Sequence, residues 1–222
     1  MEICKLEHIE KNYRMGEIVS PLKDVCLTVN SGDFIAVEGP SGTGKSTLLY
    51  VIGSLLEHDG GKLFIDGKDV SSLSDQEKTI LRAEKIGFIF QDTNLIQALT
   101  LRDNLIFAQT LGGKRKPQPQ LADELLEQLG LSDRANYYPY QLSGGQRRRA
   151  VAARALINKP KLIIADEPTN DLDEIWAEKL VQLLKAETEK GAAVLMVTHN
   201  SRWTHNATVR YSLNDGVLVE RK

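Results

Sequence analysis

Apolar residues in this chain follow two rhythms. Short runs bounded by turn residues read as strands, and stripes recurring at i, i+3 and i+4 read as helices. Residues 3–9 predict a first strand, and Val25, Leu27 and Val29 alternate with Cys26 and Thr28 as a half-buried second one. Between them Tyr13 lies in a polar stretch that ends at Pro21. Asn30-Ser31-Gly32-Asp33 supplies a turn into Phe34-Ile35-Ala36-Val37, a buried strand, and residues 48–52 continue a helix. A strand at 62–66 turns at Asp66-Gly67, and Ser74 with Glu77 forms a capping box that opens a helix to about Lys85. Residues 86–90 are a strand ending at Gln91-Asp92. From 92 to about 160 the period is helical. Thr100 caps one helix, residues 121–129 form another stopped by Gly130, and 150–158 is a third helix-compatible run. A basic loop, 112–117, reads as a solvated turn. Strands return at 161–165 and 193–198, separated by a long amphipathic helix over 173–190. Asn214-Asp215-Gly216 between 208–213 and 217–220 is a strong hairpin signal.

This order predicts an α/β fold: an N-terminal antiparallel β-subdomain attached to a nucleotide-binding core, with a helical insert. One domain over 1–222 is expected, its core at 1–91 and 161–222 and its helical subdomain at about 92–160. With 28 basic and 30 acidic side chains the net charge is −2, so no general nucleic-acid footprint is present and no direct nucleic-acid partner is expected. Cys4 and Cys26 read as residues in apolar surroundings, with neither metal spacing nor a disulfide framework, which makes a reducing cytosol the expectation. The N-terminus lacks a signal pattern, and no apolar run reaches membrane-span length.

The chemistry begins at Gly39-Pro40-Ser41-Gly42-Thr43-Gly44-Lys45-Ser46-Thr47, which fits G-x-x-x-x-G-K-[ST], the phosphate-binding P-loop, between a strand and a helix. The glycines let backbone N–H groups point inward around a polyphosphate, and the helix N-terminus adds its positive dipole end. Lys45 is placed to reach the β- and γ-phosphates of ATP, and the Ser46 hydroxyl to ligate Mg²⁺. Asp166 and Glu167 end an apolar strand, where the first can hold Mg²⁺ and the second can orient or deprotonate an attacking water. His199 ends another core strand; a γ-phosphate contact and a purely structural role are both open from position alone. Tyr13 reads equally as a base-stacking aromatic or a packing tyrosine. Gln91, at the end of a core strand, either reaches the nucleotide crevice or is an ordinary strand-ending loop residue, the latter being favoured on position alone. Leu142-Ser143-Gly144-Gly145-Gln146 is either a second anion-binding helix start or an ordinary capped one. Arg147-Arg148-Arg149 fans around its helix and reads as solvated and ion-paired. His8, His58 and His205 read as surface residues.

Together these motifs resemble the ATP-binding cassette (ABC) nucleotide-binding domain over nearly the whole chain. Residues 142–146 match the family's signature, with Ser143 lying 23 residues before Asp166. The resemblance implies a P-loop NTPase (RecA-like) core and an ATPase that uses ATP and Mg²⁺. Tyr13 would be the adenine-stacking aromatic, residues 39–47 the Walker A loop and Gln91 the Q-loop glutamine at the metal and the attacking water. Asp166 would be the Walker B aspartate, Glu167 the catalytic glutamate, Asp173 the D-loop aspartate and His199 the switch histidine. It also implies a head-to-tail homodimer around two ATP, in which Ser143 and Gly145 serve the partner's nucleotide.

Tyr13 with residues 19–25, then 85–91 and 165–169, are similar to bacterial macrolide-exporter and lipoprotein-release cassettes. Such cassettes drive a separate integral membrane permease by mechanotransmission, from the inner face of the cell membrane, and the helical insert between Asp92 and Gln141 is the expected docking surface, with charge reversal across 94–104 as its test. Asn170-Asp171 stands where Gly-Asn is commoner, Asn200 where Asp is usual and Thr208-Val209 where Asp-Arg is common. Rival readings are a soluble ABC-type ATPase acting on DNA or ribosomes, a cell-division regulator with a membrane partner, and an unrelated P-loop kinase.

Overall fold

The computed structural model describes residues 1–111 and 116–221. Most of the basic loop expected at 112–117 lies outside them. Among the described residues no helix is long and apolar enough to cross a membrane.

Two sheets organise the molecule. The first strands are β1 (Glu2–Met15), β2 (Glu17–Asn30), β3 (Phe34–Glu38), β4 (Gly60–Ile65), β5 (Lys68–Asp69) and β6 (Ile86–Ile89). They are followed by β7 (Leu162–Asp166), β8 (Ala193–Val197), β9 (Val209–Asn214) and β10 (Val217–Arg221). An antiparallel sheet runs β2-β1-β4-β5, and a six-stranded sheet runs β10-β9-β3-β8-β7-β6. In the second, β9, β3, β8, β7 and β6 are mutually parallel and β10 is an antiparallel edge. The helices are α1 (Lys45–Ile52), α2 (Asp75–Lys85), α3 (Leu101–Thr110), α4 (Pro119–Gln128), α5 (Gly144–Leu156), α6 (Glu174–Glu189) and the short α7 (Ser201–Thr204).

Period-two alternation divides the core. Leu162, Ile164, Leu195, Ile35 and Val37 face α1 and the antiparallel sheet, packing on Leu6, Ile9, Leu27 and Leu48. Ile163, Ala165, Val194, Met196 and Phe34 face the helices, packing with Leu105, Val151, Leu180 and Leu184. The parallel strands are therefore buried on both faces and read as continuous apolar runs.

Local signals are met where their chemistry is strong. Ser74 and Glu77 form the capping box of α2, Thr100 caps α3, and Gly130 takes φ 63° after α4. Three expectations are overturned. The stretch before Pro21 is not a polar connection: β1 runs to Met15 and turns at Gly16 (φ 84°) into β2. Lys11 pairs with Leu22 and Tyr13 with Val19, so backbone pairing prevails over the polar side chains. Two members of the arginine triplet are not solvated: Arg148 is 2% exposed and Arg149 is 9% exposed, because both sit on the inward stripe of α5, although Arg148 keeps an ion pair with Asp171 at 3.6 Å. Cys4 is buried as expected, but Cys26 is exposed, on the outward side of the Val25-Leu27-Val29 alternation. His58 is half-buried; His8 and His205 are exposed.

Candidate functional site

The carboxyl ends of four adjacent parallel strands build the site. Val37 of β3 pairs with Val197 of β8, Val197 with Asp166 of β7, and Ala165 of β7 with Ile89 of β6. Residues 38–44, 166–167, 198–199 and 90–91 thus leave one sheet edge side by side, the crevice where open α/β sheets bind ligands.

After β3 the chain must pass between two fixed carbonyls. A Cβ on Gly39 would lie 2.4 Å from the Leu213 carbonyl oxygen. Gly44, at φ 99°, has room for a Cβ only 2.5 Å from the Pro21 carbonyl oxygen, so glycine is required for both reasons. No side chain caps α1, which leaves its first N–H groups open toward an anion. The Lys45 ammonium folds over the loop, donating to the carbonyls of Gly39 (2.8 Å) and Pro40 (2.6 Å). The Thr43 hydroxyl donates to Pro40 O at 3.0 Å.

From the first turn of α1, the Ser46 hydroxyl donates to Asp166 Oδ2 at 2.8 Å. Burial pushes the Asp166 carboxyl upward and the charge of Glu167 adds to this, while the Ser46 bond and the cations Lys45 and Arg148 pull it back. Glu167 sits at φ 47°, a left-handed conformation that a side-chain-bearing residue holds only when its surroundings fix it. Its Oε1 accepts the His199 backbone N–H (3.0 Å) and meets His199 Nδ1 at 2.8 Å. Its other oxygen, Oε2, is buried without a hydrogen-bond partner. A carboxylate held at one oxygen and uncommitted at the other is arranged to accept a proton or orient a water. Ser46 and Asp166 are a hard oxygen pair of the kind Mg²⁺ takes, so the residues fit the metal.

The structure thus brings together residues 39–47, Asp166, Glu167 and His199. Gln91 is exposed on the loop beside them. Tyr13 lies on β1, opposite Val19 and close to the Pro21 that contacts Gly44. Ser143 and Asp173 bond within their own helices: Ser143 Oγ accepts the Gln146 N–H, and Asp173 Oδ1 accepts the Trp176 N–H. What lies against Gly145 is Asp171, whose carbonyl would be 2.8 Å from an added Cβ.

The profile of the family described as "ABC transporter" matches residues 22–170. The chain belongs to the ABC transporter family. It is an ATP-binding cassette and an ATPase, as its motifs imply. It is similar to the lipoprotein-releasing system ATP-binding protein LolD of Aquifex aeolicus, 39% identical over 219 residues that cover 98% of this chain and 96% of LolD. It is also similar to the macrolide export ATP-binding/permease protein MacB of Aggregatibacter actinomycetemcomitans, 39% identical over 99% of this chain but only 34% of MacB. A dimeric structure of the cassette MJ0796 in a post-hydrolysis state, bound to ADP and Pi, superimposes with a TM-score of 0.94 at 39% identity, covering 99% of this chain and 98% of that one. MJ0796 comes from Methanocaldococcus jannaschii.

One residue of this cassette escaped the sequence reading. Arg148 Nε donates to the Asn170 carbonyl at 3.3 Å, and its terminal nitrogens donate to the carbonyls of Phe90 and of Gln91, the latter at 2.6 Å. It clamps the loop after β6 to the loop after β7. The signal was available: Arg148, Val151, Ala152 and Ala155 recur at the spacing of one helix face.

Proposed function

We propose that this cassette hydrolyses ATP between two copies of itself and drives an integral membrane permease, as a motor of the mechanotransmission export type. The observation that carries the catalytic half is Glu167, with Oε1 fixed by His199 and Oε2 uncommitted beside Asp166. The loop amides of 39–47 and the Lys45 ammonium hold the phosphates, and Tyr13 stacks on the base. Ser46, Asp166 and Gln91 would hold Mg²⁺, which would supply positive charge to offset that developing on the transferred phosphoryl group. Glu167 Oε2 takes a proton from water as the water oxygen bonds to the γ-phosphorus. The bond from that phosphorus to the bridging oxygen breaks, and ADP leaves with the electron pair. His199 orients Glu167 and contacts the γ-phosphate.

Ser143 and Gly145 of each copy, at the mouth of α5, complete the partner's site, with Asp173 at the same junction. The dimeric form of MJ0796 supports this arrangement. Loss of the bridging γ-phosphate then releases the two copies.

Support for the membrane partner comes from the similarity to LolD and MacB and from an apolar groove of about 370 Å³. The groove lies between β6 and the insert, and its walls include Leu55, Phe88, Ile96, Phe107 and Leu111. We assign it to an amphipathic helix on the cytosolic side of the permease, which places the cassette at the inner face of the cell membrane.

Glu167→Gln tests the catalytic reading. It keeps the size and hydrogen-bond geometry but removes the proton acceptor. ATP turnover is expected to fall at least about 100-fold, as for loss of a positioned general base, while ATP still binds and a dimer accumulates on size exclusion. Turnover near the wild-type rate overturns the role of Glu167.

A further inference from the structure

Away from the nucleotide crevice, two of the four register shifts in the hairpin of β1 and β2 are adjacent bulges on opposite strands. Between the pairs Leu6↔Leu27 and Ile9↔Val25, residues 7 and 8 face residue 26 alone. Between Ile9↔Val25 and Lys11↔Leu22, residue 10 faces residues 23 and 24. Such bulges re-aim side chains. The extra residue of each, His8 and Asp24, takes φ 53°, and both are exposed. A third strand fixes the first bulge from behind: Gly61 of β4, at φ 85°, lies so close that a Cβ would be 2.3 Å from the His8 carbonyl oxygen.

Their side chains converge with that of Cys26. His8 Nδ1 is 2.6 Å from Asp24 Oδ1 and 3.8 Å from Cys26 Sγ, and the His8 backbone N–H donates to the same sulfur at 3.3 Å. All three potential ligand atoms lie within 4.8 Å of one another. A tetrahedral zinc ion with ordinary Zn–N, Zn–O and Zn–S bonds needs ligand atoms about 3.3–3.6 Å apart, so each pair fits after side-chain movements of about 1 Å or less. Among the described residues this is the one cluster of three such ligands.

We propose that His8, Asp24 and Cys26 form a surface site for a thiophilic divalent ion of the zinc class, with water in the fourth position. Thiolate, imidazole and carboxylate together select zinc-like ions over Mg²⁺, whose ligands are oxygens alone. The site joins β1 to β2 without touching the P-loop, and it stands independently of the catalytic reading.

The test uses metal-free full-length protein without nucleotide. Co²⁺ serves as the spectroscopic probe and Zn²⁺ as its competitor. One equivalent of Co²⁺ is expected to give a thiolate-to-cobalt charge-transfer band that Zn²⁺ abolishes. The other cysteine, Cys4, is buried and its thiol is pushed up by burial, so the exposed Cys26 is the available sulfur. Cys26→Ser, an exposed one-atom change, removes the band. His8→Gln weakens Co²⁺ binding by more than the roughly 10–100-fold typical of losing an outer-shell partner. Absence of the band at a few equivalents of Co²⁺, a band that outlives Cys26→Ser, or unchanged Co²⁺ affinity in His8→Gln overturns the site.

Discussion

Arg148→Met separates the buried clamp from the chemistry it supports. The substitution keeps an unbranched side chain of similar reach and removes every donor. Three backbone carbonyls in a partly buried setting, those of Phe90, Gln91 and Asn170, then lose a partner, and the Asp171 carboxylate, 3.6 Å from the guanidinium, loses its cation. Charge-assisted bonds are worth about 1.5–3 kcal/mol each, but burial lowers the affinity of this guanidinium for its proton, and that desolvation cost disappears with the charge. Taking about 1 kcal/mol for each stranded carbonyl gives about 3 kcal/mol in all. For a chain of this length that is a fall in Tm of about 6–12 °C. Thermal unfolding followed through Trp176 and Trp203 reads the stability, and steady-state ATPase assays read the function. kcat is expected to fall more than KM for ATP rises, because the clamp holds the loops of Gln91 and Asn170 and leaves the P-loop alone. Arg148→Lys retains the charge but not the fork, and falls between. A Tm loss under about 2 °C with unchanged kcat would show that the carbonyls find other donors and would refute the reasoning.

Other outcomes follow from the same contacts. Asp166→Asn keeps an acceptor for Ser46 and removes a buried charge. Because the folded-state pKa of Asp166 is raised, its ionisation costs stability fully above that pKa and not at all below the unfolded value of about 3.9. The variant should therefore melt higher than wild type at pH 7, with the gap closing as pH falls, while its turnover is lost; a lower Tm at pH 7 contradicts this. Asp66 has the opposite sign. Lys161 at 2.6 Å and Lys85 at 3.0 Å hold its carboxyl below the usual range, so its stabilisation is full above the unfolded pKa and fades as pH drops through the folded one. Urea midpoints of wild type and Asp66→Asn should differ at pH 7 and converge in acid. Phe107→Asp, on the exposed wall of the proposed docking groove, should abolish co-purification with a membrane partner and leave basal ATPase unchanged; retained co-purification would exclude the groove.

Much of this was legible from the chain because the controlling forces are local. A P-loop is written in glycines whose positions are dictated by carbonyls of Leu213 and Pro21, and a capping box such as Ser74 with Glu77 is complete within four residues. Buried parallel strands announce themselves as apolar runs. What stayed hidden depends on partners distant in sequence. Arg148 looked like surface charge because its acceptors lie 58, 57 and 22 residues away and are backbone atoms, which carry no sequence signature. His8, Asp24 and Cys26 have no recognisable ligand spacing because two bulges, invisible in composition, rotate the first two toward the third. The extension of β1 through Tyr13 follows from pairing with β2, which prevails over a polar pattern.

The place of β3 has a consequence for how the protein comes into being. Its neighbours in the sheet are β8 and β9, and Phe34 pairs with Val194, 160 residues later. At ribosomal speeds of about 5–20 residues per second, the strand that launches the P-loop waits roughly 8 to 32 s for its first partner. Until then its apolar residues have no sheet partner and only the antiparallel sheet and α1 to pack on. Nascent chains arrested before residue 193 should bind no nucleotide, however complete their Walker A sequence. Competence to hold ATP would therefore be acquired late and all at once, making nucleotide binding a report on the finished chain.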